Sequence, residues 1–172
     1  PNVNSGPDRG HSHSTEKVIM PGDVIQTDFG IRVYGTWVTD SQRFAYVLHP
    51  GETEAPPEMQ ARWEHAREGS RAAFGAMRPG ATGWDVDRAQ RVILEEHGSI
   101  PIIWSTGHPV GYWAHAVGPR LGGAAGGRPP SGDAARELRP GHTFAVDGFF
   151  GWPRDEGGTK TISVEEMVVV TE

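Results

Sequence analysis

The feature that most constrains this chain is a segment that occurs twice. Pro21–Asp28 and Pro140–Asp147 each consist of Pro-Gly, five residues and an aspartate, and Gly and Phe follow each aspartate in one order or the other. The separation is far longer than that of a solenoid repeat. A match of this length can arise by chance, but a duplicated half-domain that places two carboxylates face to face is the interpretation we pursue.

The segments around the two copies predict a mixed α+β fold. Apolar residues at three- and four-residue steps indicate a helix over Pro56–Met77. Thr82 and Asp85 resemble a capping box for a second helix, and Gly98 suits its C-terminal end. Ile100–Trp104 is expected to form a short strand. Other apolar runs bounded by turn residues predict strands at Val24–Phe29, Val33–Val38, Phe44–Leu48, His142–Asp147 and Thr161–Thr171.

Composition excludes several classes of protein. The chain has 172 residues, which is enough for one domain with a sizeable core, and a formal charge of −6 with scattered basic residues, which argues against nucleic-acid binding. No apolar run approaches the length of a membrane span, so we expect no membrane partner. The chain has no cysteine, which fits a reducing compartment, and we expect a cytoplasmic location.

Acidic side chains stand at the ends of several predicted strands. Asp28, Asp40 and Asp147 each follow an apolar run, where solvation at a strand end is the ordinary explanation for a single aspartate. Glu165 and Glu166 interrupt an apolar run, and buried carboxylates must be paired, protonated or bound to metal. Because side chains alternate between the two faces of a strand, only one of these glutamates can face a given site.

A histidine between glycines completes a possible ligand set. His108 lies in Gly107–Gly111, and His115 follows seven residues after it. Four carboxylates and one imidazole could hold two divalent cations, whose charge of +4 would balance the four negative charges. A turn histidine at position 108 and a packed histidine beside Trp113 are the structural alternatives.

Five motifs in order carry a resemblance to a known family. The first motif is a His in a polar loop, followed by Gly-Asp, an apolar pair and Asp-x-Gly. The second is Asp-x-x-Arg, and the third is Gly-His-x-x-Gly with a second His seven residues after the first. The fourth is Pro-Gly, five residues and an acid, and the fifth is an acid pair before Val-x-Val-Thr-Glu. Here they stand at His11 with Gly22–Gly30, Asp40–Arg43, Gly107–His115, Pro140–Asp147 and Glu165–Glu172. In this order they resemble the creatinase/methionine-aminopeptidase superfamily of M24 metallopeptidases, especially its aminopeptidase P/prolidase branch.

The resemblance implies the pita-bread fold, an α+β fold with two pseudo-symmetric halves. Residues 1–172 would form the C-terminal catalytic domain, incomplete at its N-terminal side, because the helices of the first half are missing from this chain. The full-length protein is expected to form a homodimer that acts on a small peptide or other small molecule.

The resemblance also implies a ligand set and a reaction. The metal ligands would be Asp28, Asp40, His108, Asp147 and Glu165, the last chosen over Glu166 because the family's ligand is the first acid of the pair. They would hold two divalent ions, with manganese, cobalt, zinc and iron as candidates. His11 and His115 would serve catalysis, and a hydroxide bridging the ions would cleave peptide bonds next to proline.

Two departures from the family pattern leave alternatives open. Asp147 stands where the family usually has Glu, and Ala116 follows His115 where active peptidases usually carry an acid. The shorter side chain at position 147 moves its carboxylate by roughly 1.5 Å. A hydrolase or lyase of a small non-peptide solute on the same fold is the first alternative, and a metal-free, non-catalytic binding module is the second.

Overall fold

The strands that the structure describes form two three-stranded antiparallel sheets and two hairpins. The computed structural model describes residues 2–4, 14, 16–155 and 157–172. The strands are β1 (Asn2–Asn4), β2 (Val24–Phe29), β3 (Arg32–Val33), β4 (Trp37–Val38), β5 (Ser41–Tyr46), β6 (Gly107–Pro109), β7 (Thr143–Asp147), β8 (Phe150–Pro153), β9 (Thr159–Ile162) and β10 (Glu165–Val169). One sheet has the order β1-β2-β5 and the other the order β10-β7-β6. β3 pairs with β4, and β8 pairs with β9.

Both copies of the Pro-Gly segment adopt the same geometry. Gly22 and Gly141 have φ angles of 89° and 84°, in the left-handed region that favours glycine. The amide of Gly22 donates to the carbonyl of Val47, and the amide of Gly141 donates to that of Val170. Val47 directly follows β5, which pairs with β2, and Val170 directly follows β10, which pairs with β7.

The matching turns give the two copies matching registers. β2 pairs with β5 so that Asp28 lies opposite Gln42, and β7 pairs with β10 so that Asp147 lies opposite Glu165. Gln42 therefore occupies the position in the first half that Glu165 occupies in the second. The duplicated segment is thus a structural repeat as well as a sequence repeat.

Two α-helices lie between the halves in the chain. α1 (Pro57–Ala76) has proline in its first turn, where a missing N–H costs nothing. α2 (Gly83–Glu96) begins with the predicted capping box, in which the Thr82 hydroxyl accepts from the Asp85 amide and the Asp85 carboxylate accepts from the Thr82 amide. The helices pack on each other and on the second sheet.

The core lies between the helices and β7, β8 and β9. Its larger cluster is built around Phe144 and Val146 of β7, and the smaller one around Phe150 and Ile162. Gly148 allows α1 to approach the end of β7, because a Cβ at this position would lie 2.0 Å from the Ser70 hydroxyl oxygen. The close contact fixes the position of Asp147 relative to the helix layer.

Three predicted strands differ in the structure. Thr161–Thr171 is divided into β9 and β10, which pair in different sheets. Val33–Val38 is the β3–β4 hairpin, because Tyr34 and Gly35 have φ of 51° and 69° and form a turn instead of extended backbone. The strand predicted at Ile100–Trp104 was wrong. Pro101 has no N–H to donate. Within the described part of the chain, only the Ile100 amide of this segment bonds across, to the Gly151 carbonyl.

Within the described residues, neither helix is both long enough and apolar enough to cross a membrane.

Candidate metal centre

Six chemically active side chains meet at the ends of β2, β6, β7 and β10. They fall into three overlapping groups, and in each group the ligand atoms lie within 4.8 Å of one another. The groups are Asp40, His108 and His115; His108, Asp147 and Glu165; and Asp28, Asp40 and Glu165. All five predicted ligands and His115 are therefore brought together, while His11 lies outside the described residues.

A tight turn brings Asp40 back beside Asp28. Asp28 is near the end of β2, and the β3–β4 hairpin returns the chain to Asp40 just before β5. Gly30 makes the return possible, since a Cβ at this position would lie 1.9 Å from the Thr39 carbonyl oxygen. The Thr39 amide also donates to the Ile31 carbonyl, which closes the base of the hairpin.

Asp147 and Glu165 form a buried pair of acids across β7 and β10. Their Cα atoms are register partners, and both side chains are buried. Burial first, and then the neighbouring carboxylates of Asp28 and Asp40, raise the pKa of Asp147 to about 8. Burial and the same neighbours, with Asp147 itself, raise the pKa of Glu165 to about 10. In the absence of cations the pair therefore holds protons at neutral pH.

His108 supplies a neutral imidazole to the same cluster. It lies in β6 opposite Ala145, and its Nε2 is 3.7 Å from the Asp40 Oδ2. Burial, followed by the nearby His115, lowers the pKa of His108 to about 4. A neutral imidazole at neutral pH is the form that binds a metal.

His115 stands at the exposed edge of the cluster. Its ring meets that of His108 edge-on, with centroids 4.1 Å apart. Since His115 and Trp113 are both exposed, the packed-histidine alternative does not fit. The position gives His115 access both to the cluster and to a molecule that enters from solvent.

Arg43 ties the two halves of the site together. Its guanidinium donates to the Glu165 carbonyl at 3.0 Å and lies 3.1 Å from the Glu166 carboxylate. Glu166 is exposed whereas Glu165 is buried, so the alternation along β10 leaves Glu165 alone to face the cluster.

The donor set fits divalent cations. The Glu165 Oε2 is buried and has no hydrogen-bond partner in the described part of the chain, which is costly for a carboxylate oxygen unless a cation binds it. Oxygen donors with one imidazole suit hard or borderline divalent ions. Two such ions would also neutralise the mutual repulsion of the four carboxylates.

The sequence interpretation missed a polar network behind the cluster. The Gln42 side-chain amide donates to the Asp147 Oδ1 at 2.8 Å, and its oxygen accepts from Gln26 and Ser163. Glutamine is not a common metal ligand, so residue type gave no signal. The sequence repeat gave no signal either, because the equivalence of Gln42 and Glu165 appears only from the registers of the strand pairs.

The comparison with protein families identifies the class to which this site belongs. Residues 1–172, the whole chain, match the model of Metallopeptidase family M24. The chain belongs to this family of metallopeptidases.

The curated relatives that the chain matches are described as probable dipeptidases. The probable dipeptidase PepE of Mycobacterium tuberculosis is 29% identical over 174 residues, which cover 99% of this chain and 41% of that protein. The chain thus spans about two-fifths of the length of the curated relatives it matches.

Solved structures agree on the pita-bread fold. Dipeptidase PepE from Mycobacterium ulcerans has 26% identity and a TM-score of 0.75, over 99% of this chain and 42% of that one. X-Pro aminopeptidase from Thermotoga maritima has 26% identity and a TM-score of 0.78, over 99% and 44%. Prolidase from Thermococcus sibiricus, at 22% identity and a TM-score of 0.79 over 99% and 42%, shows the fold alone.

Proposed function

We propose that this chain carries the dinuclear metal centre of a hydrolase that cleaves peptide bonds next to proline. The observation that carries the proposal is the convergence of Asp28, Asp40, His108, Asp147 and Glu165. One buried Glu165 oxygen has no hydrogen-bond partner among the described residues. Similarity to dipeptidase PepE and to X-Pro aminopeptidase supports a peptidase over other hydrolases.

The division of the ligands follows from the two groups that contain Glu165. Asp28 and Asp40 with Glu165 would hold one ion, and His108 and Asp147 with Glu165 would hold the other, so that Glu165 is shared. Manganese, cobalt, zinc and iron remain the candidates. When bound, two such ions would polarise a carbonyl group and make water a stronger nucleophile at neutral pH.

The chain's own residues would move the protons. The Asp147 or the Glu165 carboxylate would accept a proton from the attacking water and pass it to the leaving nitrogen, because both are buried in the cluster. His115 would donate a hydrogen bond to the oxygen of the scissile carbonyl, where negative charge develops. Such a donor must be within reach of a bound substrate, and His115 is exposed.

Two stacked aromatic rings, one of them three residues before His115 in the chain, offer a surface for proline. Trp37 and Tyr112 stack with centroids 4.7 Å apart and an interplanar angle of 15°. The amide of Val38 donates to the carbonyl of Gly111 at 3.0 Å, which joins this stack to the segment that leads to His115. A pyrrolidine ring is compact and apolar, and aromatic faces bury such rings well.

One observation favours a second candidate, a hydrolase of a small non-peptide solute. Ala116 stands directly after His115, so this position carries no charged group to meet a peptide terminus. The metal-free binding module is the weaker alternative, because every position in the cluster keeps a side chain able to bind metal.

A substrate panel tests the proposal. The intact protein is stripped with chelator, reloaded with Mn²⁺ and assayed against Ala-Pro, Ala-Ala and small-solute amides. We expect metal-dependent cleavage of Ala-Pro with kcat/KM at least about tenfold above that for Ala-Ala, the discrimination that an apolar pocket supplies. Cleavage of the amides without Ala-Pro would favour the second candidate, and no cleavage of any substrate would overturn both.

A further inference from the structure

Gln42 is a buried amide aimed at a metal-binding side chain. It is 3% exposed, lies opposite Asp28 in β5, and donates to the Asp147 Oδ1 across 2.8 Å. The two residues are 105 positions apart and come from different sheets. The bond therefore spans the junction between the two halves of the fold.

The orientation of the amide is fixed by its other partners. The Gln42 Oε1 accepts from the Gln26 Nε2 at 2.7 Å and from the Ser163 hydroxyl at 2.9 Å. With both acceptor sites used, the amide nitrogen must point the other way, towards Asp147. An ionised carboxylate can only accept hydrogen bonds, so the pairing is favourable in this orientation alone.

The repeat shows how the two halves differ. Glu165 in β10 and Gln42 in β5 hold equivalent positions, but one presents carboxylate oxygens to the cluster and the other presents N–H groups. A second acid at position 42 would add a fifth negative charge that two divalent cations could not balance. A neutral donor at this position contributes order without charge.

The lengths of the two side chains are matched. Asp147 is one methylene shorter than glutamate, and Gln42 is long enough to reach it from the neighbouring sheet. Lengthening Asp147 would bring its carboxylate into the Gln42 amide, whereas shortening Gln42 would leave a gap. The distance between β5 and β7 therefore sets the combined length of the Gln42 and Asp147 side chains.

We propose that Gln42 is a positioning residue of the metal centre, which holds one oxygen of Asp147 and leaves the other directed at the cation. The inference rests on the metal centre of the proposed function. It assigns to Gln42 neither contact with the substrate nor a bond to the metal.

A length exchange tests this role. Mn²⁺ binding to the intact, chelator-treated protein is measured by calorimetry for the wild type, Gln42→Asn, Asp147→Glu and the double variant. Each single change should weaken binding by about 10–100-fold, the usual effect of disturbing a group that orients a ligand. The double variant restores the summed length and should bind within about threefold of the wild type.

Matched controls separate position from residue type. Gln60→Asn and Asp133→Glu make the same chemical changes at exposed positions and should leave the Mn²⁺ affinity unchanged. Thermal unfolding of every metal-free variant is measured as well, since a purely structural role would lower the melting temperature without changing the affinity of the folded protein. If Gln42→Asn does not fold, Ser163→Ala takes its place, because it removes one of the donors that orient the amide and should weaken binding severalfold.

The outcomes distinguish the two levels of the proposal. A wild type that binds no Mn²⁺ overturns the metal centre and this inference with it. A wild type that binds Mn²⁺ while Gln42→Asn, or its substitute Ser163→Ala, binds equally well overturns only the positioning role. Losses that simply multiply in the double variant would also overturn it, because coupled neighbours are not additive.

Discussion

Replacing Glu165 by glutamine should make the metal-free protein more stable while it removes a metal ligand. Burial and three nearby carboxylates raise the pKa of Glu165 from 4.5 to about 10. In the folded, metal-free protein the group is therefore protonated at pH 7, whereas in the unfolded chain it is ionised. Folding must take up a proton, and glutamine needs none.

The size of the effect follows from the pKa difference. Protonating a group of pKa 4.5 at pH 7 costs about 1.4 kcal/mol for each of about 2.5 pH units, or about 3 kcal/mol. The folded pKa lies above the unfolded one, so this penalty is absent below pH 4.5 and grows as the pH rises towards the folded value. At pH 5 it is about 1 kcal/mol by the same relation.

Urea denaturation of the chelator-treated intact protein at pH 5 and pH 7 measures the difference. Glu165→Gln should raise the free energy of unfolding by about 3 kcal/mol at pH 7 and by about 1 kcal/mol at pH 5. Glu166→Gln is the control, since Glu166 is exposed and paired with Arg43, and should change stability by less than about 1 kcal/mol at either pH.

With Mn²⁺ present, the wild type should gain stability and Glu165→Gln should gain much less. A Glu165→Gln protein that is no more stable than the wild type at pH 7, or equally stabilised at both pH values, would refute the reasoning.

Three further predictions concern the same site and its support. His108→Ala should lose metal by elemental analysis, whereas His115→Ala should keep its metal and lose on the order of 10²–10³ in turnover of Ala-Pro; full turnover in His115→Ala would contradict its role. The buried acids Asp147 and Glu165, whose pKa values are raised, should release up to two protons when Mn²⁺ binds at pH 7. Calorimetry in buffers of different ionisation enthalpy measures this release. Proton uptake on binding would contradict the prediction. Gly148→Ala should lower the free energy of unfolding by at least about 2 kcal/mol, because its Cβ meets the Ser70 hydroxyl. Gly75→Ala, which lies in open space on α1, should raise it by up to about 1 kcal/mol. If thermal unfolding shows equal effects for the two variants, the contact at Gly148 is relieved without cost and the prediction is wrong.

Much of the fold could be predicted because its signals are local. The Pro-Gly turns depend on the backbone freedom of Gly22 and Gly141, and the capping box at Thr82 depends on residues three apart. Local chemistry of this kind is visible in one sequence. The error at Ile100–Trp104 has the same local origin, because Pro101 removes a donor that a strand would need.

The pairing of the strands could not be predicted from local signals. That Asp28 lies opposite Gln42, and Asp147 opposite Glu165, depends on which strands meet and in what register. The sequence named acids and histidines because their side chains commonly bind metals. Gln42 acquires its role only through residues far away in the chain, which is why its residue type gave no warning. The role predicted for His11 and the expected homodimer stay predictions.

Direct measurement of metal stoichiometry and its dependence on Glu165 tests the central claim most directly. The intact protein, stripped with chelator and titrated with Mn²⁺, is analysed by native mass spectrometry beside Glu165→Gln and the exposed control Glu166→Gln. The shared position of Glu165 in two of the three ligand groups predicts two Mn²⁺ ions per chain for the wild type and for Glu166→Gln, and at most one for Glu165→Gln. A wild type that takes up no Mn²⁺, or a Glu165→Gln variant that still binds two ions, would contradict the account.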